Sequence, residues 1–231
     1  MAGAQARPDD FQLQRVLADA MLKSGLNQDA QRVYQQCLAL KPNDGETVFL
    51  LGRAFYEDRK MAEALVQYKA AVQLIPKSAE AWFHLGICHR GLQEIPEAKA
   101  AFLKSLALEG RNAETLYNLG MVALREEQKP AAQAYFEKAI QRSPGHYASH
   151  YELGRILMSQ GKTQEALKEM DTVIKLNPRH TQGHYQRGML LARLGQSAAA
   201  EKELQTFRRL EKEDREQRKT IENKVLAPVK P

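Results

Sequence analysis

Alanine recurs every thirty-four residues along this chain, at Ala30, Ala64, Ala98, Ala132, Ala166 and Ala200. A fixed period of that length does not arise from one globular core, whose side-chain environments do not repeat. It requires a single unit stacked on copies of itself, each burying a face against the next. Other positions keep the same register. Glycine stands twelve residues before the alanine at Gly52, Gly86, Gly120, Gly154 and Gly188, preceded in four cases by Leu51, Leu85, Leu119 and Leu153. A large apolar residue follows the alanine by four at Tyr34, Tyr68, Phe102, Phe136, Met170 and Leu204, and Pro42, Pro76, Pro144 and Pro178 close four of the units. Apolar spacings of three, four and seven describe amphipathic helices. The small Gly and Ala let two helices approach closely, and the proline stops the second. Six helix–turn–helix units are expected at 11–44, 45–78, 79–112, 113–146, 147–180 and 181–214. Residues 1–10 read as a flexible lead, with Pro8, Asp9 and Asp10 starting the first helix, and 215–231 as a charged helical extension and tail.

The third unit, AEAWFHLGICHRGLQEIPEAKAAFLKSLALEGRN, carries the fullest signature: Trp82, Leu85-Gly86, Ala98 and Phe102. W-x2-L-G followed by A-x3-F resembles the tetratricopeptide repeat (TPR) family. The resemblance covers all six units and implies an all-α fold, a right-handed α-solenoid of six helix–turn–helix TPR repeats and twelve helices, with an extended C-terminal helix. The terminal repeats depart from the pattern. Repeat one has Gln14 and Ala18 where a large residue and Gly are expected. Repeat six has Arg187 in place of a buried Leu and no closing Pro, so it is expected to fray first. Its second helix should run from about Ser197 to near Lys224 and break before Pro228. Residues 211–220 hold no apolar side chain, so i,i+4 pairs such as Glu211–Arg215 and Asp214–Arg218 must support that stretch. In repeat three Gly110 replaces the proline, and a left-handed glycine can end the helix there.

Charge and motifs narrow the function. The net charge is +6, but residues 205–231 alone hold eight Lys/Arg against five acids, half of that excess. The array before them is nearly balanced and has no run of like charge, which argues against a nucleic-acid partner. No apolar run is long enough to span a membrane. The first residues lack the pattern of a signal peptide, so the cytoplasm is the expected compartment, with export of a chain whose leader is missing as the alternative. Cys37 and Cys88 occupy apolar positions of the repeat and read as small buried hydrophobes. His146 with His150, and His180 with His184, are four apart as in some metal sites, but the turn between repeats separates each pair, and they recur at equal repeat positions. Buried neutral imidazoles at the interface account for His150 and His184. No nucleotide-loop or nucleophile-elbow motif is present. No enzyme activity, cofactor or metal is expected.

The resemblance implies a binding scaffold whose first helices line a concave groove that holds a partner's peptide. The family's fifth position gives Phe49, Phe83, Tyr117, Tyr151 and Tyr185, an aromatic ladder. Its sixth and ninth positions bring Asn118, Arg53 and Arg155, and its twelfth and thirteenth Arg90 and Arg125. Acids such as Glu46, Glu80 and Glu114 collect where first helices begin and bases where they end, a pattern that helix dipoles alone also favour. The carboxylate clamp of chaperone-binding members is absent: Asn118 alone falls on a clamp position, with Phe83, Ile87, Ala148 and Glu152 at others. The expected role is therefore a non-catalytic protein–protein interaction scaffold that binds a peptide segment over Phe83, Tyr117 and Tyr151. The alternatives are an assembly factor of the pilotin type, a regulatory fragment of a larger complex or, further off, a nucleic-acid binder. Self-association through the basic tail is a competing use of the groove.

Overall fold

A computed structural model describes residues 10–109 and 113–226. Among them are twelve helices and no strand. Residues 1–9 of the expected 1–10 lead, the Gly110 turn and the tail beyond Leu226 lie outside the described residues. The first helices of the repeats are α1 Phe11–Lys23, α3 Gly45–Glu57, α5 Ala79–Gly91, α7 Ala113–Arg125, α9 Tyr147–Ser159 and α11 Thr181–Arg193. The second helices are α2 Asn27–Leu40, α4 Met61–Leu74, α6 Ile95–Glu109, α8 Lys129–Arg142, α10 Thr163–Leu176 and α12 Ser197–Leu226. The chain divides into two compact units, Met1–Glu127 with α1 to α7 and Gln128–Pro231 with α8 to α12. Within each unit every helix packs chiefly on its neighbours in sequence.

In five repeats the residue just before the first helix caps it with its side chain. Side chains of Asp10, Asp44 and Ser78 accept hydrogen bonds from the main-chain N–H of Leu13, Thr47 and Ala81 at 2.9–3.1 Å. These bonds satisfy donors that a helix leaves open. His146 and His180 do the same through Nδ1, accepting from Ser149 at 3.2 Å and Gly183 at 2.9 Å. The turn inside the repeat is equally regular. The fifteenth residue of every repeat lies in the left-handed region: Gly25, Arg59, Gln93, Glu127, Gly161 and Gly195, with φ between 59° and 75°. In five of them the next N–H reaches back to the carbonyl five residues earlier, as in Leu26 to Met21 and Lys60 to Phe55, both at 2.9 Å. That is a Schellman closure, which ends the helix and redirects the chain.

The signature residues meet as the repeat pattern requires. The six alanines are all buried. A Cβ added to Gly86 would lie 2.6 Å from the Phe102 ring, and one on Gly52 2.8 Å from Tyr68. The glycine thus gives the ring of the second helix a flat seat. In the first unit Val48, Phe49, Tyr68, Val72, Leu85 and Cys88 share one core drawn from α3 to α6. Burying side chains of this size contributes roughly 1.5–3 kcal/mol each. In the second unit Phe136, Met170, Val173, Leu190 and Leu210 are fully enclosed.

Helix α12 runs two residues past the expected Lys224. Arg179, in the turn before α11, pairs with Glu213 at 2.9 Å and Asp214 at 3.8 Å and ties the extension to its own unit. The pairs within the helix differ from those expected. Arg209–Glu213 at 2.7 Å and Lys212–Glu216 at 3.9 Å form, whereas Glu211–Arg215 and Asp214–Arg218 do not. The reason is competition: Asp214 turns to Arg179 and Thr181, and Arg218 donates to the Asp214 carbonyl at 3.3 Å.

Candidate functional site

In the first unit the expected groove residues lie on α3, α5 and α7, and they divide into surface and core. Phe83 and Tyr117 are half-buried, Arg53 and Arg90 likewise, and Arg125 is exposed. Phe83 leans on His84 at 5.5 Å between ring centres and on Phe102 at 5.9 Å. Phe49 departs from the ladder and is only 5% exposed. His84, a flat ring at the sixth position of the next repeat, closes over it at 5.4 Å, and Tyr68 lies behind it at 5.7 Å. Asn118 is not a surface residue either, at 1% exposure. Its Nδ2 donates to the Glu114 carbonyl at 2.9 Å, while its buried Oδ1 meets no donor among the described residues. Beside Arg53, a cavity of about 350 Å³ opens between Asp19, Leu22, Tyr34, Leu50 and Glu57.

The second unit carries its own set on α9 and α11. Tyr151 is half-buried against His180 at 4.8 Å, and Arg155 lies 5.8 Å over its ring as a cation–π partner. Arg155 also donates to the buried Glu152 at 2.9 Å. Burial raises the Glu152 carboxyl above its ordinary range, a shift that Arg155 opposes. Tyr185 is 36% exposed and rests on Phe207 at 5.3 Å.

The remaining chemistry-bearing residues build the scaffold. Cys37 and Cys88 are buried, and burial pushes their thiols up to about 11 and about 12, far from a reactive thiolate. Among the described residues no group of three His, Cys, Asp or Glu could hold a metal. His150 and His184 are buried as expected, but the surroundings of His150 favour its charged form over the neutral one expected. Its Nδ1 faces Glu169 Oε2 at 2.6 Å and its Nε2 faces the Pro144 carbonyl at 3.0 Å, so two acceptors flank the ring and only the imidazolium serves both. Its pKa is raised, first by the Glu169 bond. His184 repeats the geometry with Glu203 at 2.6 Å and Pro178 at 3.0 Å. Trp82 joins the same device from the fourth position of repeat three, its Nε1 donating to the Pro76 carbonyl at 2.9 Å. Each thereby fastens a repeat to the end of the one before it. His146 and His150, which need not share a helix, sit at the N-cap and in the first turn of α9, so that only His150 is helical. Arg187, expected as a misfit for leucine, forms ion pairs with Asp171 at 2.6 Å and with Glu203.

Comparison with known proteins agrees with this architecture. Two tetratricopeptide repeat profiles match, one over residues 15–79 and 89–147 and the other over 123–194. The chain belongs to the tetratricopeptide repeat family. It has the all-α helical-repeat fold of that family's solenoids. No curated protein sequence matches it. Solved structures of similar fold include Pseudomonas aeruginosa PilF, with a TM-score of 0.79 at 17% identity, over 87% of this chain and 91% of that one. YrrB, described as a TPR protein with an unusual peptide-binding site, gives 0.62 at 22% over 77% and 91%. PilW, described as a type IV pilus biogenesis factor, gives 0.71 at 19% over 84% and 90%. At these identities the likeness concerns the fold alone. No described helix is long and apolar enough to cross a membrane.

Proposed function

We propose that this protein is a non-catalytic scaffold that holds a peptide segment of a protein partner against the first helices of its repeats. One observation carries the reading. The first helices present half-exposed aromatics at one repeat position, Phe83 and Tyr117 in the first unit and Tyr151 and Tyr185 in the second, while the rings at the twenty-fourth position are buried. Amphipathic rings held this way offer contact area at little conformational cost, and they are the residue types that dominate binding energy at interfaces. Arg53, Arg90 and Arg125 in the first unit, and Arg155 in the second, would orient the ligand and speed its encounter more than hold it.

Affinity capture from the host's lysate with the full chain, compared with the Phe83→Ala/Tyr117→Ala variant, tests this. Partners that depend on those rings are expected to be lost while the helical signal and melting temperature persist. Deleting residues 215–231 separates the competing use of the same surface. A dimer that turns monomeric points to the chain's own tail, and unchanged mass leaves the foreign peptide. An assembly role of the pilotin type is a second reading, supported by the repeat number and by the fold shared with PilF and PilW. It predicts that the captured partners are subunits of an envelope assembly.

A further inference from the structure

Repeats one and two differ at one pair of positions. In repeat one the buried Tyr34 hydroxyl donates to Asp19 at 2.6 Å, joining the twenty-fourth residue to the ninth. Repeat two keeps the tyrosine, as Tyr68, but has Arg53 at the ninth position, and a guanidinium cannot accept a hydrogen bond. Tyr68 is fully enclosed, with 0% of its surface exposed, and its hydroxyl has no hydrogen-bond partner among the described residues. Repeats three and four place Phe102 and Phe136 here, so the hydroxyl is not needed for packing. A buried hydroxyl without an acceptor is a cost that a folded protein normally avoids.

Two further groups around it are equally unused. Arg53 is half-buried and forms no ion pair or hydrogen bond among the described residues, although its charge acts on Tyr34, Tyr68 and His84. His84 stacks on Tyr68 at 5.6 Å and its Nε2 stands 4.0 Å from Glu80, beyond hydrogen-bond length. Burial, then the Arg53 charge, lowers its pKa to about 4, so the ring is neutral and can offer an N–H. The acids nearby leave Arg53 unmatched. Asp19 takes the Tyr34 hydroxyl, Glu46 is held by Arg15 at 2.9 Å, and Glu57 is exposed one turn further along α3.

We infer that Arg53, backed by the Tyr68 hydroxyl and the His84 ring, is an anion subsite that takes a side-chain carboxylate of the bound peptide. This rests on the peptide-scaffold reading and adds the chemistry of the segment: an acidic residue at a fixed place. A guanidinium with two neutral donors suits a carboxylate, and such charge-assisted bonds are the strong ones. An internal side chain fits better than a chain end. The cavity beside Arg53 continues toward repeat one between Leu22 and Leu50, while Phe83 and Tyr117 belong to the later repeats of the same unit, so a peptide has surface to follow on both sides. Arg53 lines this cavity, whereas Tyr68 is enclosed, so its hydroxyl joins a carboxylate only when the side chains around it move.

The test uses the full chain and two small probes at constant ionic strength. N-acetyl-glutamate N-methylamide presents a side-chain carboxylate, and N-acetyl-alanine presents a terminal one. The readouts are the NMR resonances of the Arg53 Nε–H and the His84 ring. The glutamate probe is expected to move both along a saturable curve, with the alanine probe weaker. Arg53→Gln should lower affinity by about tenfold or more, and Tyr68→Phe, which keeps the ring, by about threefold or more. Glu57→Gln should tighten binding by removing a like charge. Tighter binding of N-acetyl-alanine would overturn the choice of an internal side chain. Shifts that rise linearly, match those in sodium chloride or survive Arg53→Gln would overturn the subsite itself. If the probes fail while Phe83→Ala/Tyr117→Ala still abolishes partner capture, the subsite falls and the scaffold reading stands.

Discussion

His150 and Glu169 share a 2.6 Å contact between Nδ1 and Oε2, and His184 with Glu203 repeats it thirty-four residues later at the same length. In both repeats the other ring nitrogen faces the carbonyl of the proline that closes the preceding repeat. A polar side chain thus does at these interfaces what apolar residues do elsewhere in the array. It also directs the repeat through two bonds of fixed geometry. The His150 pair is sensitive to protonation.

The raised pKa of His150 fixes the sign of that sensitivity. A histidine titrating higher folded than unfolded adds stability that is complete below the unfolded value near 6.5 and is lost as pH rises through the folded one. The second unit should therefore lose stability on moving from pH 6 to alkaline pH through this group. Proton NMR of the His150 ring checks it: the midpoint should lie above 6.5 and fall in Glu169→Gln. A midpoint below 6.5 in the parent chain would show that burial outweighs the carboxylate.

His84 in the first unit should behave oppositely. Its pKa is depressed to about 4, chiefly by burial, so its contribution is present above pH 6.5 and is lost as pH falls through about 4. The His84 ring is expected to stay neutral down to about pH 4, and His84→Gln should flatten the acid side of the first unit's stability curve. Titration near 6.5 would mean that water reaches the ring.

Gly86 and Phe102 are in contact without room for a methyl group. Gly86→Ala should destabilise the first unit by about 1–3 kcal/mol, the usual cost of overpacking. Gly188→Ala should cost less, because its Cβ would meet Leu204 at 3.1 Å, a flexible side chain near the end of the array. Urea denaturation of the two variants orders them, and equal losses would contradict the argument.

The left-handed turn residues offer the opposite experiment. Gln93 holds φ 63°, a region that costs a side chain about 1 kcal/mol. Gln93→Gly should therefore stabilise by up to about 1 kcal/mol, and Gly161→Gln should destabilise by a similar amount. Melting curves of the pair decide this, and a loss of stability on Gln93→Gly would show that its side chain makes a contact worth more than the strain.

The period of the chain made twelve helices legible, because Ala, Gly, Pro and the large residues report packing distances that the backbone must satisfy. The turn at the fifteenth position was not legible. Gly25, Gly161 and Gly195 signal it, but Arg59, Gln93 and Glu127 adopt the same backbone with no such residue. The site was legible only by position. Family register placed Phe49 and Asn118 on the binding face, but their exposure depends on the residue above them, and His84 closes over Phe49. The His150–Glu169 pair did leave a signal. Glu stands at the twenty-third position only in the two repeats that have His at the fourth.

The central claim is that partners are held by the aromatic faces of the first helices. The most direct measurement is quantitative affinity capture from the host's lysate with four full-length proteins: the parent, Phe83→Ala/Tyr117→Ala, Tyr151→Ala/Tyr185→Ala, and a control with Lys69→Ala/Lys104→Ala on exposed second-helix positions. Anchors of this kind cost about 2 kcal/mol or more each when truncated, so at least one aromatic variant should lose the specific partners by more than tenfold while the control keeps them. If both aromatic variants fold and retain every partner at parental levels, the binding surface lies elsewhere and the account is wrong.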